Sequence, residues 1–199
     1  MRLPVSYAGM SRALLTALLA AGLLSAPGSP GAYDYRALHM LEDRRTHAII
    51  RISEPPVDGD PPQRGRADCA TIEVLDRRGR NIARAFGRMF QRSGIHIDDI
   101  LTSRLCRNIE AARLMAIGPA DETELLDPAP DEAAAKAQAD DILGRLDGLR
   151  PSETAMLITH PDIVTALTGE SLAPGEGLVF RLPPFGDPEV RARFDLPPH

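Results

Sequence analysis

The sequence predicts an α/β domain with a central, mostly parallel sheet flanked by helices, a three-layer sandwich. Two observations carry the prediction. Short β-branched runs alternate with amphipathic helical stretches along the chain, the pattern of βαβ units. Polar residues able to hold an anion follow three of those runs directly, and strand ends are where open α/β sheets bind ligands.

Taken in order, Tyr35–Glu42 has helical periodicity and is expected over the entrance to the domain. Ala48–Ile52 is a β-branched run suited to a buried strand. Residues 53–66 carry four prolines and two glycines, a long stiff loop. Ile82, Phe86, Met89 and Phe90 form one face of a helix over Asp76–Ser93, which Gly94 ends. Asp99–Ser103 reads as a second strand running into a helix over Arg107–Ala116. Asp131–Leu149 is alanine-rich and helical. Thr154–Thr159 is a third strand with His160 at its end, followed by a short helix, Asp162–Thr168, stopped by Gly169. Gly177–Leu182 is expected to be the last strand, with a proline-rich tail closing the chain.

The 199 residues are 43% hydrophobic and 26% charged, which excludes a multi-pass membrane protein and a disordered chain. Net charge is −5, and all 23 basic residues except Lys136 are arginine, spread singly. Tight non-specific nucleic-acid binding is not expected. Arg2 and Arg12 precede an apolar run, Ala13–Leu24, which a small-residue stretch, Ser25–Ala32, follows. This is the pattern of a secretory signal peptide, and the run is shorter than the twenty or so residues a membrane span needs. An uncleaved anchor is the alternative. The expected organisation is a cleaved leader, residues 1–32, and one exported domain, 33–199, periplasmic or secreted and without stable membrane insertion.

Export bears on Cys69 and Cys106, the chain's two cysteines. An oxidising compartment permits a disulfide between them, which would stabilise the fold by roughly 4 kcal/mol. Two separate buried thiols are the alternative. Without clustered histidines they make no zinc site, and no metal or cofactor is expected. His39, His47, His96 and His199 match no ligand spacing and are expected at the surface. Asp140-Asp141 is expected on a solvated helix face.

Arg51, Ser103, Arg107 and His160 share the strand-end address. Each guanidinium offers two parallel donors to an oxyanion, and backbone N–H groups at the start of the helix after Ser103 point the same way. Phosphate or a phosphorylated small molecule is the ligand class this suits.

At these residues the chain resembles the histidine phosphatase, or phosphoglycerate mutase-like, superfamily, and in particular its small exported bacterial members. The matching segments are Asp68-Cys69-Ala70-Thr71, Gly79-Arg80, Ser103-Arg104-Leu105-Cys106-Arg107, Thr159-His160, Leu167-Thr168-Gly169 and Pro174-Gly175-Glu176. Together they span roughly residues 46–182. The resemblance implies that His160 is the family's second histidine and that Arg51 opens the catalytic motif. In the family that motif is Arg-His-Gly or Arg-His-Ala; here it is Arg51-Ile52-Ser53. The phosphate-accepting histidine is replaced by Ile52, which has no lone pair to attack phosphorus. Ile72-Glu73-Val74 also departs from the family's Gln-Arg-Asn, and a carboxylate at Glu73 would repel a phosphate dianion if it faced the pocket. Glu124, Asp127 and Asp162 are the candidates for the general acid. The resulting expectation is a catalytically silent member that keeps part of an anion pocket. The alternatives are a phosphomonoesterase using Ser53 or His160, and an exported binding or structural domain.

Overall fold

The computed structural model describes residues 35–54, 69 and 74–196. The leader, nearly all of the proline-rich loop after Glu54, Ile72-Glu73 and His199 lie outside the described residues. The element order is α1 (Tyr35–His39), a 3-10 turn (Met40–Glu42), β1 (Thr46–Ile50), α2 (Arg77–Ser93), β2 (Asp99–Thr102) and α3 (Cys106–Met115). There follow β3 (Asp121–Glu122), a 3-10 turn (Glu124–Leu126), α4 (Glu132–Asp147), β4 (Ala155–Ile158), α5 (Pro161–Thr168), β5 (Glu176–Arg181) and β6 (Glu189–Asp195).

Six strands form one sheet in the order β3-β2-β4-β1-β5-β6. The pairs β3–β2, β2–β4 and β4–β1 are parallel, and β5 is antiparallel to both β1 and β6. Side-chain alternation sorts the core into two layers. Ala48, Ile50, Ile100, Met156, Ile158 and Val179 pack with α1, α2 and α3. Ile49, Leu101, Leu157, Leu178 and Phe180 face α4 and α5. The strands are buried on both faces, which is why they read as continuous apolar runs rather than alternating ones.

Caps set the helix ends. Asp76 accepts from the Gly79 amide at 2.6 Å to start α2, and Gly94, at φ 72°, ends it. Asp131 accepts from the Ala134 amide at 2.8 Å to start α4. Gly87 lies where α2 crosses α3, and a side chain there would run into the Met115 carbonyl.

Three expectations are corrected. First, Gly177–Leu182 is not the last strand: β6 lies inside the expected tail and pairs with β5 from Glu176↔Asp195 to Arg181↔Glu189. Its apolar residues alternate with charges, and Phe194 is buried edge-on against Phe86 and Phe90. Second, β1 begins at Thr46 and ends at Ile50, two residues earlier than expected, so Arg51 and Ile52 lie beyond its end. Third, His47 is not a surface residue. It sits on β1 at 1% exposure, accepts from the Ala155 amide at 3.1 Å and packs against Phe180. His39 and His96 are exposed as expected, and so are Asp140 and Asp141. The two-residue β3 is too short to leave a periodic signal.

Candidate active site

The parallel register brings the ends of β1, β2 and β4 level, with Ile50 opposite Ile158 and Ile158 opposite Thr102. Backbone hydrogen bonds continue just past the strands. The Ser103 amide donates to Ile158 at 3.2 Å, the Thr159 amide to Ile50 at 3.4 Å and the Arg51 amide to Glu176 at 3.0 Å. Arg51, Ser103 and His160 therefore leave the same edge of the sheet. Arg107 joins them from the first turn of α3, and His160 caps the start of α5.

His160 is 2% exposed and both its nitrogens are engaged. Arg107 Nη2 lies 2.6 Å from Nδ1, and Ser103 Oγ lies 2.9 Å from Nε2. A guanidinium only donates, so Nδ1 accepts and the ring proton sits on Nε2, donating to Ser103. Asn108 Nδ2 donates to the same hydroxyl at 2.9 Å. Burial, then the charges of Arg107 and Arg51, push the imidazole down to about 3, so it is neutral at physiological pH. This polarity is the reverse of a Ser–His catalytic pair, in which Nε2 must accept the hydroxyl proton.

A cavity of about 470 Å³ opens beside this cluster. Ile52, Val74, Leu75, Ile82 and Pro174 give it apolar walls, and Ser53, Glu54, Asp76, Arg78 and Arg107 also line it. Ile52 is 1% exposed. Among the described residues the buried Ser53 hydroxyl has no hydrogen-bond partner. Arg51 does not line the cavity itself, although its ion-pair partner Glu54 does. Its Nη1 donates to the Leu172 carbonyl at 2.7 Å and its Nη2 to Glu54 at 2.5 Å. The structure thus brings Ser103, Arg107 and His160 into direct contact and leaves Arg51 beside them in an ion pair.

Glu110, one turn after Arg107, accepts from the Val74 and Leu75 amides at 2.8 Å each. It ties the cavity wall to α3. The Cys69–Cys106 disulfide is present, with Cα atoms 5.0 Å apart, and ties Cys69 to the first residue of the same helix. The candidate acids all hold structural positions. Asp127 accepts from the Arg104 amide and guanidinium at 2.7–3.0 Å, Glu124 lies 3.3 Å from the same guanidinium, and Asp162 accepts from the Ala129 amide at 2.6 Å. Asn108 was not predictable as a site residue. Its reach to Ser103 depends on how α3 starts, and an asparagine beside an arginine carries no signal. Among the described residues no cluster of histidine, cysteine or acidic side chains could hold a metal ion.

A helix-flanked sheet with one reversed strand and a Ser–Arg–His cluster at its C-terminal edge defines this as an α/β protein of the histidine phosphatase fold. No family model and no curated protein matches the chain. Among solved structures it is similar to the protein histidine phosphatase SixA complexed with tungstate, with a TM-score of 0.54, 15% identity and coverage of 75% of this chain and 96% of that one. A putative alpha-ribazole-5'-P phosphatase from Escherichia coli gives a TM-score of 0.55 and 14% identity, covering 78% and 97%. A phosphoserine phosphatase from Entamoeba histolytica, mutated from histidine to alanine at one position and in complex with phosphoserine, gives 0.55 and 15%, covering 75% and 96%. At such identities the likeness is one of fold.

Proposed function

We propose that the protein is a catalytically silent histidine phosphatase, an exported domain spanning residues 33–199 that keeps an anion pocket and does not turn over phosphomonoesters. The observation that carries this reading is Ile52, buried in the cavity wall directly after Arg51. A hydrocarbon there cannot form a phosphorus–nitrogen bond, and His160 offers no substitute, because Arg107 and Ser103 hold both its nitrogens. Arg107 and Arg51 are the groups assigned to an oxyanion, with Ser103 and His160 positioning Arg107. Binding through Arg51 requires it to exchange Glu54 for the ligand.

The ligand class assigned is phosphate or a phosphorylated small molecule. The similar structures include one with tungstate and one with phosphoserine, the latter in a protein short of one histidine. Export is part of the proposal, and the disulfide supports an oxidising compartment.

Ile52→His is the deciding variant. The unmodified protein is expected at background on an aryl phosphate across acid and neutral pH, while binding phosphate weakly by titration. Removing a covalent nucleophile leaves only about 10³–10⁴ of rate enhancement in a triad enzyme. The variant is expected to gain turnover and to trap a phosphohistidine detectable by mass spectrometry. Brisk turnover by the unmodified protein would overturn the reading in favour of a working esterase. Absence of both turnover and phosphate binding, in the protein and the variant alike, would leave a binding domain with no phosphate role.

A further inference from the structure

We propose that the outer face of α2 is a docking surface for an anionic lipid bilayer, which the domain meets peripherally and without insertion. Every exposed position of α2 is Arg77, Arg78, Asn81, Arg84, Arg88, Gln91 or Arg92. The helix contains no acidic residue, in a chain whose net charge is −5. Among the described residues, none of the five exposed arginines makes an ion pair with a carboxylate. At 100° per residue, Arg77, Arg84, Arg88 and Arg92 fall on one stripe, about 22 Å long.

This arrangement works against the helix itself. Acidic residues stabilise a helix N-terminus and basic ones oppose it, yet the first turn carries Arg77, Arg78 and Arg80 and no acid. Arg84–Arg88 and Arg88–Arg92 are like charges at i, i+4, which repel. Local choices that oppose the structure they build are expected where a surface has a partner.

α1 and α3 pack against α2 in the same helical layer, an arrangement that suits a broad anionic surface better than a narrow nucleic-acid groove. With no exposed apolar side chain on the stripe, nothing is available to insert. Arginine forks suit lipid phosphates. Exposed Glu132, Asp140 and Asp141 lie on α4, across the sheet, so an anionic plane would orient the domain with α2 towards it.

The test is co-sedimentation of the full chain with vesicles of phosphatidylcholine alone and of phosphatidylcholine mixed with phosphatidylglycerol. The leader's apolar run has its own affinity for any bilayer, so the quantity read is the ratio of binding to the two vesicle types. That ratio is expected to exceed tenfold at low salt, roughly half the stripe's charge being engaged, and to collapse at high salt. R84Q/R88Q/R92Q should lower it by about 5-fold for each arginine that contacts lipid, returning it towards 1. Circular dichroism checks that the variant is folded, and the single variants R84Q and R92Q replace it if it is not. Equal binding to both vesicles, or a ratio the variants leave unchanged, overturns the proposal. So does low-salt self-association without lipid that the variants abolish, or capture by duplex DNA as tight as by anionic vesicles.

Discussion

His47 and His160 are buried imidazoles at opposite ends of the parallel sheet, and both are held neutral. Burial, then Arg45, takes His47 down to about 4, and burial with Arg107 and Arg51 takes His160 down to about 3, from 6.5. Above pH 6.5 neither form of the chain protonates them, and the associated stability is fully present. As pH falls below 6.5 the unfolded chain takes up protons that the folded one refuses, so stability drops by about 1.4 kcal/mol per pH unit for each histidine. The loss continues until the folded values, about 4 and about 3, are reached. Urea midpoints measured from pH 7 to pH 4.5 should show this slope. His47→Asn keeps an acceptor for the Ala155 amide and removes one titrating group. It should flatten the slope by about 1.4 kcal/mol per pH unit, and an unchanged slope would mean His47 is not buried neutral.

At the scale of elements, α3 organises the site. It carries Arg107 and Asn108 on its first turn, Glu110 beneath the cavity wall, and Cys106 in the disulfide. Replacing Cys69 and Cys106 by serine should lower the unfolding free energy by up to about 4 kcal/mol in the chain-entropy estimate. Thiol titration of the denatured, unreduced protein should find no free thiol, and two would show that the bridge does not form. The crossing of α2 over α3 has its own requirement. Gly87→Ala places a methyl against the Met115 carbonyl, and the strain of separating the helices should cost about 1–3 kcal/mol. A thermal midpoint equal to that of the unmodified chain would show that the crossing is looser than described.

For the whole molecule, local pattern and long-range pairing contributed differently. Alternating apolar runs made the layered α/β architecture legible, because periodicity is written residue by residue. The strand-end address of Ser103 and His160, with Arg107 in the helix after Ser103, was legible for the same reason, whereas Arg51 reads as inside its run and lies beyond it only because β1 ends at Ile50. The cysteine pair was legible from the count read together with the leader. The tertiary structure alone decided that β6 turns back onto β5, that the Leu172 carbonyl takes Arg51, that Arg107 sets the His160 tautomer and that His47 faces the core. Each of these depends on a partner far along the chain or on which side of a strand meets a helix layer. A local window encodes which residues are apolar and how they repeat, but their partners are chosen only when the sheet closes and burial makes each unpaired group costly.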